Sequence, residues 1–154
     1  MNSDFREKHR QELVWWVENH HLDPEVFVTF SWKGTNEGKF FSMMTSMLIK
    51  TSKYSKSHIA ALGGYEKSSD HIHGHLVILG ENRLKKGFLK ERWDHGKCHE
   101  RFFDSSCKES VRNACFYGLN HPEIVMFADF CPRPKTCSVP GCSKQLNIPK
   151  VHNH

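Results

Sequence analysis

Apolar residues along the chain recur with a helical period in some segments and with a strand period in others, and the changes of period mark the elements. Asp4, with Glu7 three positions on, has the form of a capping box and opens a helix that runs through Val17. Asp23-Pro24 breaks that pattern. Val26-Phe-Val-Thr-Phe-Ser-Trp32 is rich in β-branched and aromatic residues and reads as a strand. Phe40, Met43, Met44, Met47 and Leu48 then line one face of a helix, as a core stripe does. His58 to Tyr65 and His71 to Leu79 read as two strands joined by the polar turn Lys67-Ser-Ser-Asp70, making a hairpin. Leu84, Phe88, Leu89 and Trp93 outline a further helix across Gly87, and Lys97 to Phe103 reads as an edge strand. The last helix, Cys107 to Asn120, stops before His121-Pro122, because a residue preceding proline avoids helical dihedrals. Hairpin and helical connections together predict an α+β fold, a central antiparallel sheet of about four to five strands with helices packed on it. Beyond Phe130 the chain turns proline- and cysteine-rich, so residues 1–130 are expected to form the domain and 131–154 a tail.

The third strand carries the sharpest chemistry, Asp70-His71-Ile72-His73-Gly74-His75-Leu-Val-Ile-Leu79. Residues two apart on a strand share a face, so His71, His73 and His75 line up about 7 Å apart, close enough for two imidazoles to converge on one ion. With Lys67 to Asp70 as a four-residue loop, Glu66 pairs directly with His71 and points to the same face. Two imidazoles and a carboxylate can hold a divalent ion and leave positions open for substrate. Set against this is a plain row of surface histidines, a reading that weakens when three share a face beside an acid.

On the last helix, Val111, Ala114, Cys115 and Gly118 form the buried stripe at about 100° per residue. Tyr117 falls beside that stripe, with Asn113 one turn before it and His121 one turn after. A tyrosine hydroxyl can act as a covalent nucleophile, but its ordinary pKa of about 10 means that it needs help at neutral pH. A metal that polarises a phosphate supplies such help. Of the other two tyrosines, Tyr54 lies near a helix end and Tyr65 alternates away from the Glu66 face.

Composition adds less. A net charge of +5 biases the chain mildly toward a polyanion, and twelve histidines in 154 residues are unusual. No apolar run reaches the length of a membrane span, and the polar N-terminus lacks the apolar core of a secretory signal, so an intracellular protein with no membrane partner is expected. The six cysteines then read mostly as thiols. In the tail, Cys131, Cys137 and Cys142 offer enough ligands for Zn²⁺, although their spacing misses the tight knuckle of a zinc finger.

Taken together, the Val26 to Phe30 strand, Glu66, His71-Ile72-His73 and Tyr117 resemble, in order and spacing, the HUH replication initiators of rolling-circle plasmids and single-stranded DNA viruses and phages. Leu89 to Gly96 looks like the connector such proteins place before the tyrosine helix, and the resemblance covers residues 24–122. It implies an endonuclease in which Mn²⁺ or Mg²⁺, held by Glu66 and two of the histidines, polarises a phosphate of single-stranded DNA at an origin hairpin. Tyr117 then attacks, forms a 5′-phosphotyrosine bond, and the reverse reaction rejoins the strand. His73 belongs to either pairing, while His71 and His75 compete for the second place. Where the family often has Tyr-x-x-Lys, this chain has Asn120 followed by His121, either of which can support the tyrosine in the lysine's stead. Lys33, Arg83, Lys85, Lys86 and Arg92 are candidates for tracking the phosphate backbone.

There is no Walker loop, so the unwinding motor implied by the resemblance is a helicase from the host or from a separate domain. The implied location is the host nucleus for a eukaryotic virus and the cytoplasm for a plasmid or phage. Three other readings remain open. One is a zinc- or iron-dependent metalloenzyme built on the His-x-His strand, for which Tyr117 is dispensable. Another is a non-catalytic nucleic-acid-binding module. A single-tyrosine HUH transposase, the third, shares the same nuclease chemistry.

Overall fold

In the computed structural model, which describes residues 3–104 and 108–133, the periodic segments become α1 (Ser3–Asn19), β1 (Asp23–Trp32), α2 (Glu37–Ser55), β2 (Ile59–Lys67), β3 (Ile72–Gly80), α3 (Phe88–Arg92), β4 (Cys98–Phe102), α4 (Lys108–Gly118) and β5 (Glu123–Phe130). The strands form one sheet in the order β4-β1-β3-β2-β5, with every neighbouring pair antiparallel. The fold is therefore α+β. Its middle strand, β3, is the one that carries the histidines.

Alternation along the strands splits the core into two layers. Val26, Val28, Phe30, Ile59, Ala61, Ile72, Leu76 and Ile78 pack against α2 and Leu89 of α3. On the other face Ala60, Leu62, Val77 and Leu79 pack against Val14 and Val17 of α1 and Val111 and Cys115 of α4. Each large apolar side chain taken fully out of water contributes about 1.5–3 kcal/mol. Phe40 illustrates the α2 layer: it is wholly buried, with the rings of Phe30, Tyr65 and Trp93 all within 5.8 Å of its own. Asn36 starts that helix by accepting a hydrogen bond from the Lys39 N–H at 2.9 Å, and Lys56 ends it in the left-handed region. No helix among the described residues is long and apolar enough to cross a membrane.

Two elements differ from the sequence expectation. β5 was not expected, yet it pairs with β2 and buries Val125 and Phe127 while Ile124 and Met126 face outward. α3 begins at Phe88 and not at Leu84, because Gly87 caps it in a left-handed conformation (φ 85°) that cannot continue a helix backward. The packed unit also runs past residue 130. Cys131 is buried in the α1/α4 layer, and Arg133 grips the Glu81 carboxylate with contacts of 2.7 and 3.0 Å. Cys107, Cys137 and Cys142 lie outside the described residues, and with them the zinc expectation for the tail.

One buried acid gives the fold a pH signature. Glu25 sits where the register of β1 shifts, facing the backbone amides of Asn82, Arg83 and Leu84, and burial pushes its carboxyl up to about 7. A folded-state value above the unfolded one means that the native protein holds an extra proton between about pH 4.5 and 7. The contribution of the neutral acid is therefore complete below about 4.5 and is lost as pH rises through 7. Glu25→Gln, neutral at every pH, should compare more favourably with the wild type at pH 8 than at pH 5 in urea unfolding. An equal difference at the two pH values would contradict this account.

Candidate functional site

The α1/α4 face of β3 reads Leu79, Val77, His75, His73 from one end to the other. The first two lie under the helices, and the strand then runs out beyond the end of α4. His75 is consequently buried at 5% exposure beneath the last turn of α4, while the His73 side chain, farther along, is 32% exposed. On β2 the same face carries Gly64 opposite His75 and Glu66 opposite His73.

That register corrects one expectation. Glu66 pairs with His73, not with His71, because the hairpin closes two residues more tightly than a Lys67–Asp70 loop would. Ser68 N–H donates to the His71 carbonyl at 2.9 Å, leaving only Ser69 and Asp70 at the tip. The face of Glu66 is unchanged, since a shift of two preserves side-chain parity. His71 is drawn into the turn, its Nδ1 lying 2.6 Å from Ser68 Oγ and 2.8 Å from Asp70 Oδ1.

The remaining histidines meet a partner from elsewhere in the chain. His121, on the connection between α4 and β5, lies with its Nδ1 3.8 Å from Glu66 Oε2, and His73 Nε2 lies 3.7 Å from the same oxygen. One ligand atom each from Glu66, His73 and His121 falls within 4.8 Å of the others. Separations of 3.7–3.8 Å are too long for hydrogen bonds. Donors about 2.0–2.2 Å from a shared ion stand about 3–4 Å from one another, so a divalent ion fits this donor set with slight contraction.

His75 stands behind that trio. Its Nδ1 lies 2.7 Å from His121 Nε2, and the two rings are nearly parallel with centroids 4.9 Å apart. Burial, then the neighbouring His121 and His73 rings, push the His75 imidazole down to about 4, so at neutral pH it is uncharged. Burial is also the main cause that lowers His121.

Tyr117 projects from the end of α4 at 62% exposure, with its ring edge-on to His75 at 4.9 Å. Phe27 of β1 completes the packing by stacking on His75 at 5.5 Å and meeting Tyr117 edge-on at 6.2 Å. Nothing in the sequence reading singled out Phe27. Its parity on β1, opposite to that of Val26, Val28 and Phe30, was the available signal. Asn120 is drawn away toward α1, where it accepts a hydrogen bond from Arg10 Nη1 at 2.9 Å.

Two of the expected basic residues, Arg83 and Arg92, are engaged away from the histidines. Arg83 donates to the Lys56 carbonyl, and Arg92 stacks on Phe88 and Tyr54 beside α2, on the opposite side of the sheet. On the histidine side, the edge strand β4 presents exposed His99 and Arg101, which pair with Thr29 and Phe27. Two surface grooves, along α2 at Phe41 and Ile49 and between α1 and α4 at Trp15 and Phe116, include none of Glu66, His73, His75 and Tyr117. Tyr117 at 62%, the Glu66 side chain at 51% and the His73 side chain at 32% exposure open the site to solvent.

Gly64 permits this assembly. A Cβ there would fall 2.7 Å from the Glu123 carbonyl oxygen, 2.8 Å from that of Gly118 and 3.0 Å from the His121 Cβ. Two of the three are backbone atoms, which cannot swing aside. Gly64→Ala should therefore lift the α4–β5 connection off the sheet, cost about 1–3 kcal/mol in urea unfolding and shift the His75 and His121 ring resonances. Unchanged stability and unchanged imidazole spectra would refute the close approach.

No known family model, curated protein or solved structure matches this chain, so the reading of the site rests on its own residues.

Proposed function

We propose that this chain is an HUH-type endonuclease that nicks and rejoins single-stranded DNA through Tyr117, the activity of a rolling-circle replication initiator. The observation that carries the reading is the exposed Tyr117 ring at the end of α4, 4.9 Å from His75 and beside the Glu66, His73 and His121 donor cluster. A nucleophile next to a divalent-cation site on an open, basic-edged face suits an extended polymer with a phosphate backbone better than a small molecule in a closed pocket.

In this reading Glu66 and His73, with one imidazole of the His75–His121 pair, hold Mn²⁺ or Mg²⁺. When bound, the ion supplies positive charge at the scissile phosphate. Tyr117 Oη attacks the phosphorus, and the bond from phosphorus to the 3′-oxygen breaks. The phenolic proton ends on that oxygen, leaving a free 3′-hydroxyl and a 5′-phosphotyrosine. Attack by another 3′-hydroxyl on the phosphotyrosine reverses the exchange and releases the phenol. Phe27 and the buried His75 hold the tyrosine ring from below, and Arg101 and His99 lie on the same face to meet the DNA backbone. An origin hairpin as the natural substrate and a helicase supplied by the host or another domain belong to the same proposal.

The test incubates the full chain and Mn²⁺ with labelled single-stranded oligonucleotides from its own replicon or a randomised pool, resolved on denaturing gels. A metal-dependent covalent band is expected with the wild type and none with Tyr117→Phe. A band that persists in the Phe variant would take the nucleophile away from Tyr117, and none on any pool member while Mn²⁺ binds would move the site to metalloenzyme or binding-module chemistry.

A further inference from the structure

We infer that His121, and not His75, is the second imidazole ligand of the metal, and that His75 acts as a positioning residue that holds the His121 ring. This deepens the reading above and rests only on its metal-dependent part, not on the tyrosine chemistry.

Strand parity alone would pair His73 with either His71 or His75, and His71 is engaged in the turn by Ser68 and Asp70. The side chains are arranged otherwise. Glu66 Oε2 stands 3.7 Å from His73 Nε2 and 3.8 Å from His121 Nδ1, and these three groups form the donor cluster. His75 contributes no atom to it. Its Nδ1 is occupied 2.7 Å from His121 Nε2, on the side of the His121 ring away from Glu66. The His121 side chain is only 10% exposed, so both of its nitrogens are committed within the protein, one to His75 and one to the Glu66–His73 gap.

A neutral imidazole donates from one nitrogen and offers a lone pair at the other. With His75 accepting at Nδ1, His121 carries its proton on Nε2 and presents the Nδ1 lone pair to the gap. A metal-bound histidine typically donates from the ring nitrogen not on the ion to an acceptor that fixes its tautomer and orientation, and His75 is placed to be that acceptor.

The arrangement has a consequence for the tyrosine. His121 lies four residues beyond Tyr117, on the connection that leaves α4, whereas Glu66 and His73 belong to the sheet. An ion held by all three would join the connection that follows the tyrosine helix to the sheet.

Mn²⁺ is the probe that tests this, with affinity read from the free-ion electron spin resonance signal and directly bound ¹⁴N nuclei counted by spin-echo modulation. The wild type should show two coordinated nitrogens. His121→Ala and His121→Gln should each show one, with affinity at least about tenfold weaker, while thermal melts without metal report whether each variant is folded. His75→Asn keeps an acceptor oxygen and should still show two nitrogens, with affinity within about tenfold of wild type. Two nitrogens in folded His121 variants and one in His75→Asn would overturn the inference, as would a wild type that binds no Mn²⁺. The DNA-adduct assay on the same samples separates the two claims. Adduct formation with His121 dispensable for metal sinks this inference alone, and a His121-dependent ion without any adduct sinks the nuclease alone.

Discussion

β3 lies in the middle of the sheet with a hydrogen-bonded neighbour on each side, so its register and the direction of each side chain are set twice over. A slip by one residue would move Val77 and Leu79 out of the α1/α4 core and the histidines to the α2 side. The apolar pair therefore fixes where the imidazoles point. Because α4 covers only part of that face, one unbroken alternation passes from core to site. Leu79 and Val77 are packed, His75 is buried yet polar, and His73 reaches the open edge. Burial decides their chemistry in the same order, since the covered His75 is held neutral against His121.

The second constraint is the close approach of two backbone segments over Gly64. Helix α4 ends and β5 begins directly above that residue, and the turn between them delivers His121 to the sheet. The tyrosine helix, the metal-ligand cluster and the edge strand β5 thus share one contact. Interactions farther along α4 steady it. Arg112 makes a two-pronged ion pair with Glu18 at 2.9 and 3.1 Å, and Arg10 holds Asn120. Both tie α4 to α1, so the helix that presents Tyr117 is anchored along its length and at its end.

Much of this was legible because it depends on local period. The β-branched run at Val26 to Trp32, the Phe40 to Leu48 stripe and the placing of Tyr117 beside the stripe of its helix all follow from alternation or from helical spacing. What escaped depends on contacts distant in sequence or on turn geometry. Glu66 faces its partner two residues later than the loop length suggested, because Ser68 and Asp70 together grip His71 and tighten the turn. β5 directly follows a proline, and only its pairing with β2 reveals Val125 and Phe127 as inward positions. His121 was noted as support for the tyrosine, but its place beside Glu66 and His73 is set by the Gly64 contact, which no local pattern announces. That Arg92 lies beside α2, away from the histidines, was not legible either, since which side of the sheet a short helix covers is a tertiary fact.

Locating the DNA on the protein tests the central claim most directly. After reaction with single-stranded DNA and Mn²⁺, the adduct is trimmed with nuclease, digested with trypsin and sequenced by mass spectrometry. The chain has three tyrosines, Tyr54, Tyr65 and Tyr117, on separate tryptic peptides, so assignment is unambiguous. The account predicts a nucleotide 5′-phosphate on Tyr117 alone. A nucleotide on any other residue, or a cleaved strand with no nucleotide on the protein, would contradict it.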